Sequence, residues 1–206
     1  GRLLSPSALR IEDVRIEARR LTASAEGTIR SDSSDVRAVI SMPELSDAGE
    51  DLGGTLEAQA TLTGPVDARQ LAVTGQAQDL SIGIEALDRA LSGRTDLTVT
   101  AGQTADGYQL QNFSLTNPQL SAEAEGSFIS GALDAVANLS VTDLGRIRDG
   151  WSGSFDTRAT LTQDGDARLI ALTGTGRDLS LGQSASEGAL TGTTQLSLRA
   201  SERAGV

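Results

Sequence analysis

Two acids stand two residues apart in the segment LSAEAEGSF, at Glu123 and Glu125, a spacing that could in principle serve as a general acid and base. Ala122 and Ala124 alternate with them, however, so the pair reads as the solvated face of a strand. GWSGS (150–154) has the outline of the turn that presents a serine nucleophile, but Ser154 stands where the last glycine is required. The chain contains no His and no Cys, so neither a Ser-His-Asp relay nor a thiolate can be assembled. GTGRDL (174–179) departs from the dinucleotide fingerprint, with Leu179 at the third glycine position. ELSDAGED (44–51) is acidic yet lacks the residue order of a calcium loop. The Asn112 and Asn138 segments match the glycosylation pattern and read as accidental. The expectation is a protein that is not an enzyme and uses no metal or cofactor.

Trp151, the single Trp, is replaced by Leu52 at the equivalent place 99 residues earlier, which points to packing rather than to a dedicated anchor. That equivalence runs through the whole chain. VTGQAQDLSIG (73–83) returns as LTGTGRDLSLG (172–182), LTASAEG (21–27) as LSAEAEG (120–126), and GTLEAQATLT (54–63) as GSFDTRATLT (153–162). No gap is needed, so the 206 residues are about two copies of one unit, 1–99 and 100–206, in a repeat architecture.

Within each unit apolar and polar residues alternate, as in half-buried strands. Six strands are expected near 9–16, 20–30, 35–42, 54–63, 67–77 and 94–101. Six more are expected near 107–116, 119–129, 133–142, 153–162, 166–176 and 193–200, divided by turn signals such as Asp106-Gly107 and Gly64-Pro65. Helical candidates are limited to IEALDRAL (84–91) and LGRIRDG (144–150). At ~4.8 Å per strand, twelve strands extend ~60 Å. The fold expected is therefore mostly β, an elongated repeat sheet curled around its own apolar face.

Alternation alone places Leu56, Leu62, Leu97, Val99, Leu120, Phe128, Leu139, Phe155, Leu161, Leu196 and Leu198 on that face. Aromatic residues make up only 2% of the chain, and the apolar side chains are mostly Ala, Leu, Val and Ile. Two packed sheets normally interdigitate larger residues across about 10 Å. An inner face this thin suits an open curved sheet or a tightly wound solenoid. An unfilled apolar groove needs a long apolar ligand, and acyl chains fit, at about 0.8 kcal/mol per buried CH₂.

The net charge of −11 opposes binding to nucleic acid or to anionic headgroups as a surface. No stretch approaches the ~18 apolar residues of a membrane span. The start GRLLSPSALR lacks both a secretion signal and an initiator Met, which implies a segment of a longer chain.

GWSGSFDTRATLT, ALTGTGRDLSLGQ and EGALTGTTQLSL, in that order, resemble the repeat region of the TamB family. These are inner-membrane subunits of the translocation and assembly module of Gram-negative bacteria. They group with the AsmA-like proteins and are similar to the bridge-like lipid transfer proteins. GTLEAQATLTG and VTGQAQDLSIG carry the same pattern in the first unit, so the resemblance spans nearly the whole chain.

The resemblance implies a β-taco, a long twisted sheet folded into an apolar trough. It implies a periplasmic location, tethered to the inner membrane through a helix not in this chain. It further implies phospholipid movement between inner and outer membranes, or assembly of outer-membrane β-barrel proteins with an outer-membrane barrel partner. Two other readings stay open: a structural β-solenoid or adhesin stalk with a dry core, and a chaperone-like surface whose strand edge pairs with client strands.

Overall fold

The computed structural model describes residues 9–18, 21–30, 32–165, 167–182 and 189–203. Twelve strands follow one another: β1 Leu9–Ala18, β2 Leu21–Ile29, β3 Ser34–Met42, β4 Gly53–Gly64, β5 Gln70–Ser81, β6 Arg94–Thr104, β7 Gly107–Thr116, β8 Leu120–Ile129, β9 Ala132–Val141, β10 Trp151–Asp164, β11 Ala167–Leu181 and β12 Ala189–Arg203. Each is antiparallel to its neighbours, and the sheet order is the chain order, β1 to β12. The sheet is elongated and curled, and it does not close into a barrel. Among the described residues β1 pairs only with β2, and β12 only with β11.

All twelve strands expected from alternation are present, with ends displaced by a few residues. One of the two helical candidates forms a short helix, α1 Glu85–Ala90, while the other yields only a 3₁₀ turn, Leu144–Arg146. An unexpected 3₁₀ turn, Leu45–Asp47, occupies the acidic segment between β3 and β4.

Turn chemistry explains the meander. Ser130 and Gly131, both at positive φ (51° and 85°), make the two-residue connection between β8 and β9. A tight hairpin of that type requires positive φ at both central positions.

The two halves of the sheet share their irregularities at an offset of 99 residues. A register shift lies between Gly53 and Thr55 of β4 and again between Ser152 and Ser154 of β10. Another lies between Ile11 and Val14 of β1 and between Leu110 and Phe113 of β7. At the first kind of bulge Gly54 and Gly153 have φ of 89° and 94°, facing Asp79 and Asp178, themselves left-handed at 53° and 50°.

A short polar side chain tolerates that conformation because it can bond locally. Here Asp79 Oδ1 accepts the Gly93 amide at 2.7 Å, and Asp178 Oδ1 accepts the Gly192 amide at 2.8 Å. The repeated phrase QDLSIG/RDLSLG is thus the sequence of a bulge and its lock.

The buried core is small and sits at one end of the strands, where α1 and the 3₁₀ turns fold back. Ala90 and Leu91 pack with Leu120, Val141 and Leu144, flanked by Leu80, Leu115, Ile147, Trp151, Phe155 and Leu179. Arg148 lies over the Trp151 ring, 5.2 Å from its centre. Asn117 is buried at the same end, donating to Ser92 O, Arg94 O and Thr95 Oγ1 while its carbonyl accepts the Gln119 amide. Arg89 joins α1 to the loop before β10 through Asp149 at 2.8 Å.

A Cβ on Gly54 would lie 2.4 Å from the carbonyl oxygens of Gln78 and Asp79, whereas one on Gly131, at a similar φ, would meet open space. Gly54→Ala is therefore expected to cost well over about 1 kcal/mol, and more than Gly131→Ala, in urea unfolding. The Gly93 amide, and then the Gln78 side chain, hold the Asp79 carboxyl below the usual carboxylate range. Its stabilising effect is in place above the unfolded-state value and is lost as pH falls through the lower folded value. Acid unfolding followed by circular dichroism should show a shallower loss of stability over that interval for Asp79→Asn than for the parent.

Candidate functional site

Register connects the strands into rows of side chains that share a face, because the side-chain period is two. One row crosses the whole sheet: Val14, Ala25, Ala38, Ala60, Val73, Val99, Phe113, Ala124, Ala137, Ala159, Leu172 and Leu198. Every member is apolar, and its last six are its first six displaced by 99 positions.

A neighbouring row on the same face holds Ile16, Ala23, Ile40, Ala58, Gly75, Leu97, Leu115, Ala122, Leu139, Thr157, Gly174 and Leu196. The face is apolar from the first strand to the last, with Thr157 the one polar side chain in these two rows.

All eleven residues expected on the apolar face lie on this one side. Leu97, Val99, Leu139, Leu196 and Leu198 belong to the two rows, and register joins the other six to the same face. Leu56 pairs with Ala77, Leu62 with Leu71, Leu161 with Ile170, and Phe128 with Tyr108 and Leu133. Leu120 pairs with Val141, which also pairs with Phe155.

They differ in environment. Leu120 is buried and Phe155 packs against the core, so these two belong to the closed end. Leu56, Leu62, Leu97, Val99 and Leu161 are half-buried. Phe128, Leu139, Leu196 and Leu198 are open, Leu198 at 58%.

Val14, Ile16, Ile40, Leu71, Tyr108 and Ile170 are also exposed on this face, and alternation did not single them out. For β1 and β7 the cause is the bulge. In YQLQNFSL the face residues are Tyr108, Leu110, Phe113 and Leu115, so the phase changes after Leu110. The spacing of three between Leu110 and Phe113 was the available signal.

On this face a pocket of about 420 Å³ lies over β7 to β10. Its floor is Ala124, Ala137 and Ala159, three consecutive members of the first row, and Tyr108, Phe128 and Leu161 stand around it. Three successive small side chains in the second half of the row, with larger ones beside them, make the hollow.

The opposite face is mostly polar, with Val39, Ile129 and Leu169 exposed among its polar side chains. Glu123 and Glu125 lie there, exposed, on the same side as Asn138 and Asp156. Ser140 donates to Asp156 at 2.6 Å, Arg158 donates to Asn138 at 3.1 Å, and Arg94 pairs with Asp96 at 2.8 Å. Hydrogen bonding from the Arg94 guanidinium holds the Asp96 carboxyl below its usual range. Ser154 stands at the β10 bulge in a continuing strand, not at a strand-to-helix turn, and GTGRDL lies inside β11.

No protein-family model, curated protein or solved structure matches the chain. The geometry defines an antiparallel repeat sheet with one continuous apolar face, part of it closed and part open.

That division is measurable. Leu120→Ala, at the closed end, should lose about 2–4 kcal/mol of stability. Leu198→Ala, on the open stretch, should change stability by less than about 0.5 kcal/mol. Chemical denaturation of the two variants compares them directly.

Proposed function

We propose that this chain is a segment of a TamB-type, periplasm-spanning protein whose open apolar face carries phospholipid acyl chains between the inner and outer membranes. The observation that carries the reading is the row from Val14 to Leu198, apolar at every one of twelve strands. Such a row spans ~50 Å across the strands. Much of the face beside it is exposed to water rather than packed. Covering exposed apolar surface is favourable at about 25 cal/mol per Å², so the face has a driving force to take a long apolar occupant.

The floor of alanines is low enough to lay a methylene chain on, with taller Phe128 and Leu139 beside it. An acidic chain with net charge −11 has little attraction for an anionic headgroup, so the tail rather than the head makes the contact. The role is passive: apolar surface is buried and no bond is made or broken. The membrane anchor and the outer-membrane barrel partner of this reading belong to parts outside the chain. The sequential strand order and the scarcity of buried large side chains favour an open face over a solenoid with a dry core.

Native mass spectrometry of the chain purified from a bacterial periplasm tests the reading. Bound phospholipid is expected in the parent and in Glu123→Gln, which alters only the polar face. At least a tenfold loss is expected in Ala137→Arg, Leu139→Arg, with the strand content of the parent retained by circular dichroism. A folded parent without lipid, or lipid retained by that double variant, overturns it.

A further inference from the structure

The two sequence units differ most in their aromatic residues. Tyr108, Phe113, Phe128, Trp151 and Phe155 all belong to the second unit, and the first has Leu9, Val14, Ile29, Leu52 and Leu56 at the equivalent positions. Trp151 and Phe155 pack at the closed end. The other three stand on the open apolar face, around or beside the hollow of about 420 Å³.

That hollow is broader than one row. Gly126 and Ala135, paired with each other, continue its floor from Ala124 and Ala137 toward Tyr108, Phe128 and Leu133. The two rows of small side chains lie ~7 Å apart, and the alanines run ~10 Å from Ala124 to Ala159. Both rows are stopped at their ends, the first by Phe113 and Leu172, the second by Leu110 and Leu161.

A floor of these proportions is wider than one methylene chain and shorter than a long one. An acyl chain following the alanines leaves Gly126 and Ala135 uncovered and meets Phe113 in its path. A flat, rigid ring system covers both rows at once, and the rings of Tyr108 and Phe128 give it a wall to pack on. The volume falls among small-molecule sites, roughly 300–1,000 Å³. Glu125 is the one charged residue bordering the hollow, and it belongs to the polar face, so the lining suits an uncharged ligand. Tyr108, exposed on the rim, brings the one hydroxyl among its large side chains.

We propose that this dish is a site for one flat, uncharged polycyclic lipid of the sterol or triterpenoid kind, with its polar oxygen turned to the Tyr108 hydroxyl. The first unit is not built for it: Val36 pairs with Gly27 where Ala135 pairs with Gly126, and the aromatic rim is aliphatic there. One site per chain is therefore expected. The site stands whether or not acyl chains travel on the rest of the face.

Cholesterol and oleyl alcohol, each neutral with one hydroxyl and delivered from cyclodextrin, test the proposal on the full chain. Tyr108 is the only tyrosine, so labelling with meta-fluorotyrosine gives one fluorine resonance. Cholesterol should shift it and saturate at one equivalent, and oleyl alcohol should need at least a tenfold higher concentration for half its effect. Retention of tritiated cholesterol compares the variants, each checked for strand content by circular dichroism. Ala135→Val, a change to the side chain that the first unit already carries, should weaken binding at least tenfold. Phe128→Ala, at an exposed position, should weaken it at least fivefold, and Tyr108→Phe by about three- to tenfold, the worth of one hydrogen bond.

An unmoved resonance, equal affinity for the two alcohols, or binding unchanged by any of the three variants overturns the proposal. Phospholipid found on the chain beside any of those results leaves the transport reading standing. A cholesterol-shifted resonance in a chain that holds no phospholipid sinks the transport reading and keeps this one.

Discussion

The structure depends on keeping one face of a single sheet apolar across twelve successive strands. Side chains alternate with a period of two, so a slip of one residue in any pairing would turn a strand's whole apolar set to the other side. The chain meets this constraint while also bending, and bending requires bulges, each of which changes the phase. The phase change is absorbed where the sequence spaces its apolar residues by three, as at Leu110 and Phe113. At the β4–β5 and β10–β11 bulges a left-handed aspartate serves the same end, held by the amide of Gly93 or Gly192. Apolar pattern, bulge position and aspartate lock agree in each half, and that agreement lets a thin sheet hold one register.

Because one layer has no second layer to pack on, burial comes only from what folds back over the sheet. The connections at one end do this: α1 and the turn Leu144–Arg146 bring Ala90, Leu91 and Leu144 onto Leu120 and Val141. Among the described residues no large side chain is less than 2% exposed. The closed end contains residues from both sides of position 99, so it ties the two sequence units through packing as well as through the β6–β7 pairing. Away from it Phe128, Leu139, Leu196 and Leu198 stay exposed. Large residues at those positions, with alanine between them, suit a surface that accepts something better than they suit a filled interior.

Strand number and the apolar side of each strand were legible from alternation because each strand is polar on one side and apolar on the other, whereas alternation says nothing of strand order in the sheet. GTLEAQATLT states its face residue by residue, and Leu56 and Leu62 lie where it says. Legibility fails where a local rule competes with the period. The bulges in β1 and β7 hid Val14, Ile16 and Tyr108, since counting by twos across Gln111 or across 12–13 assigns the wrong side. The segment 144–150 has a helical stripe but too few residues to propagate a helix, and it gives one 3₁₀ turn. Exposure was not legible at all. Leu120 and Leu198 follow the same alternation, and only the fold-back of α1 and its neighbouring turns separates the buried one from the open one.

The same repeat that makes the sheet legible gives its apolar face an unusual property. Six strands at ~4.8 Å return an apolar row every ~29 Å, with alanine repeated at three positions and Val answered by Phe or Leu at the other three. Val14, Ala25, Ala38, Ala60, Val73 and Val99 are followed by Phe113, Ala124, Ala137, Ala159, Leu172 and Leu198. Under the proposed function, an apolar chain lying across the strands would exchange one methyl contact for another within each triplet of alanines and meet Val73, Val99 and Phe113 between the triplets. A deep pocket would hold such a ligand in one place, because leaving it would expose many methylenes to water at about 0.8 kcal/mol each. The hollow over Ala124, Ala137 and Ala159 lies between Phe113 and Leu172 in the row, so its floor there is three methyl groups wide. For the proposed function the continuity of the face matters more than the depth of any single site: a thin core, which looks like a deficiency in a globular domain, is what leaves an apolar row unbroken across twelve strands.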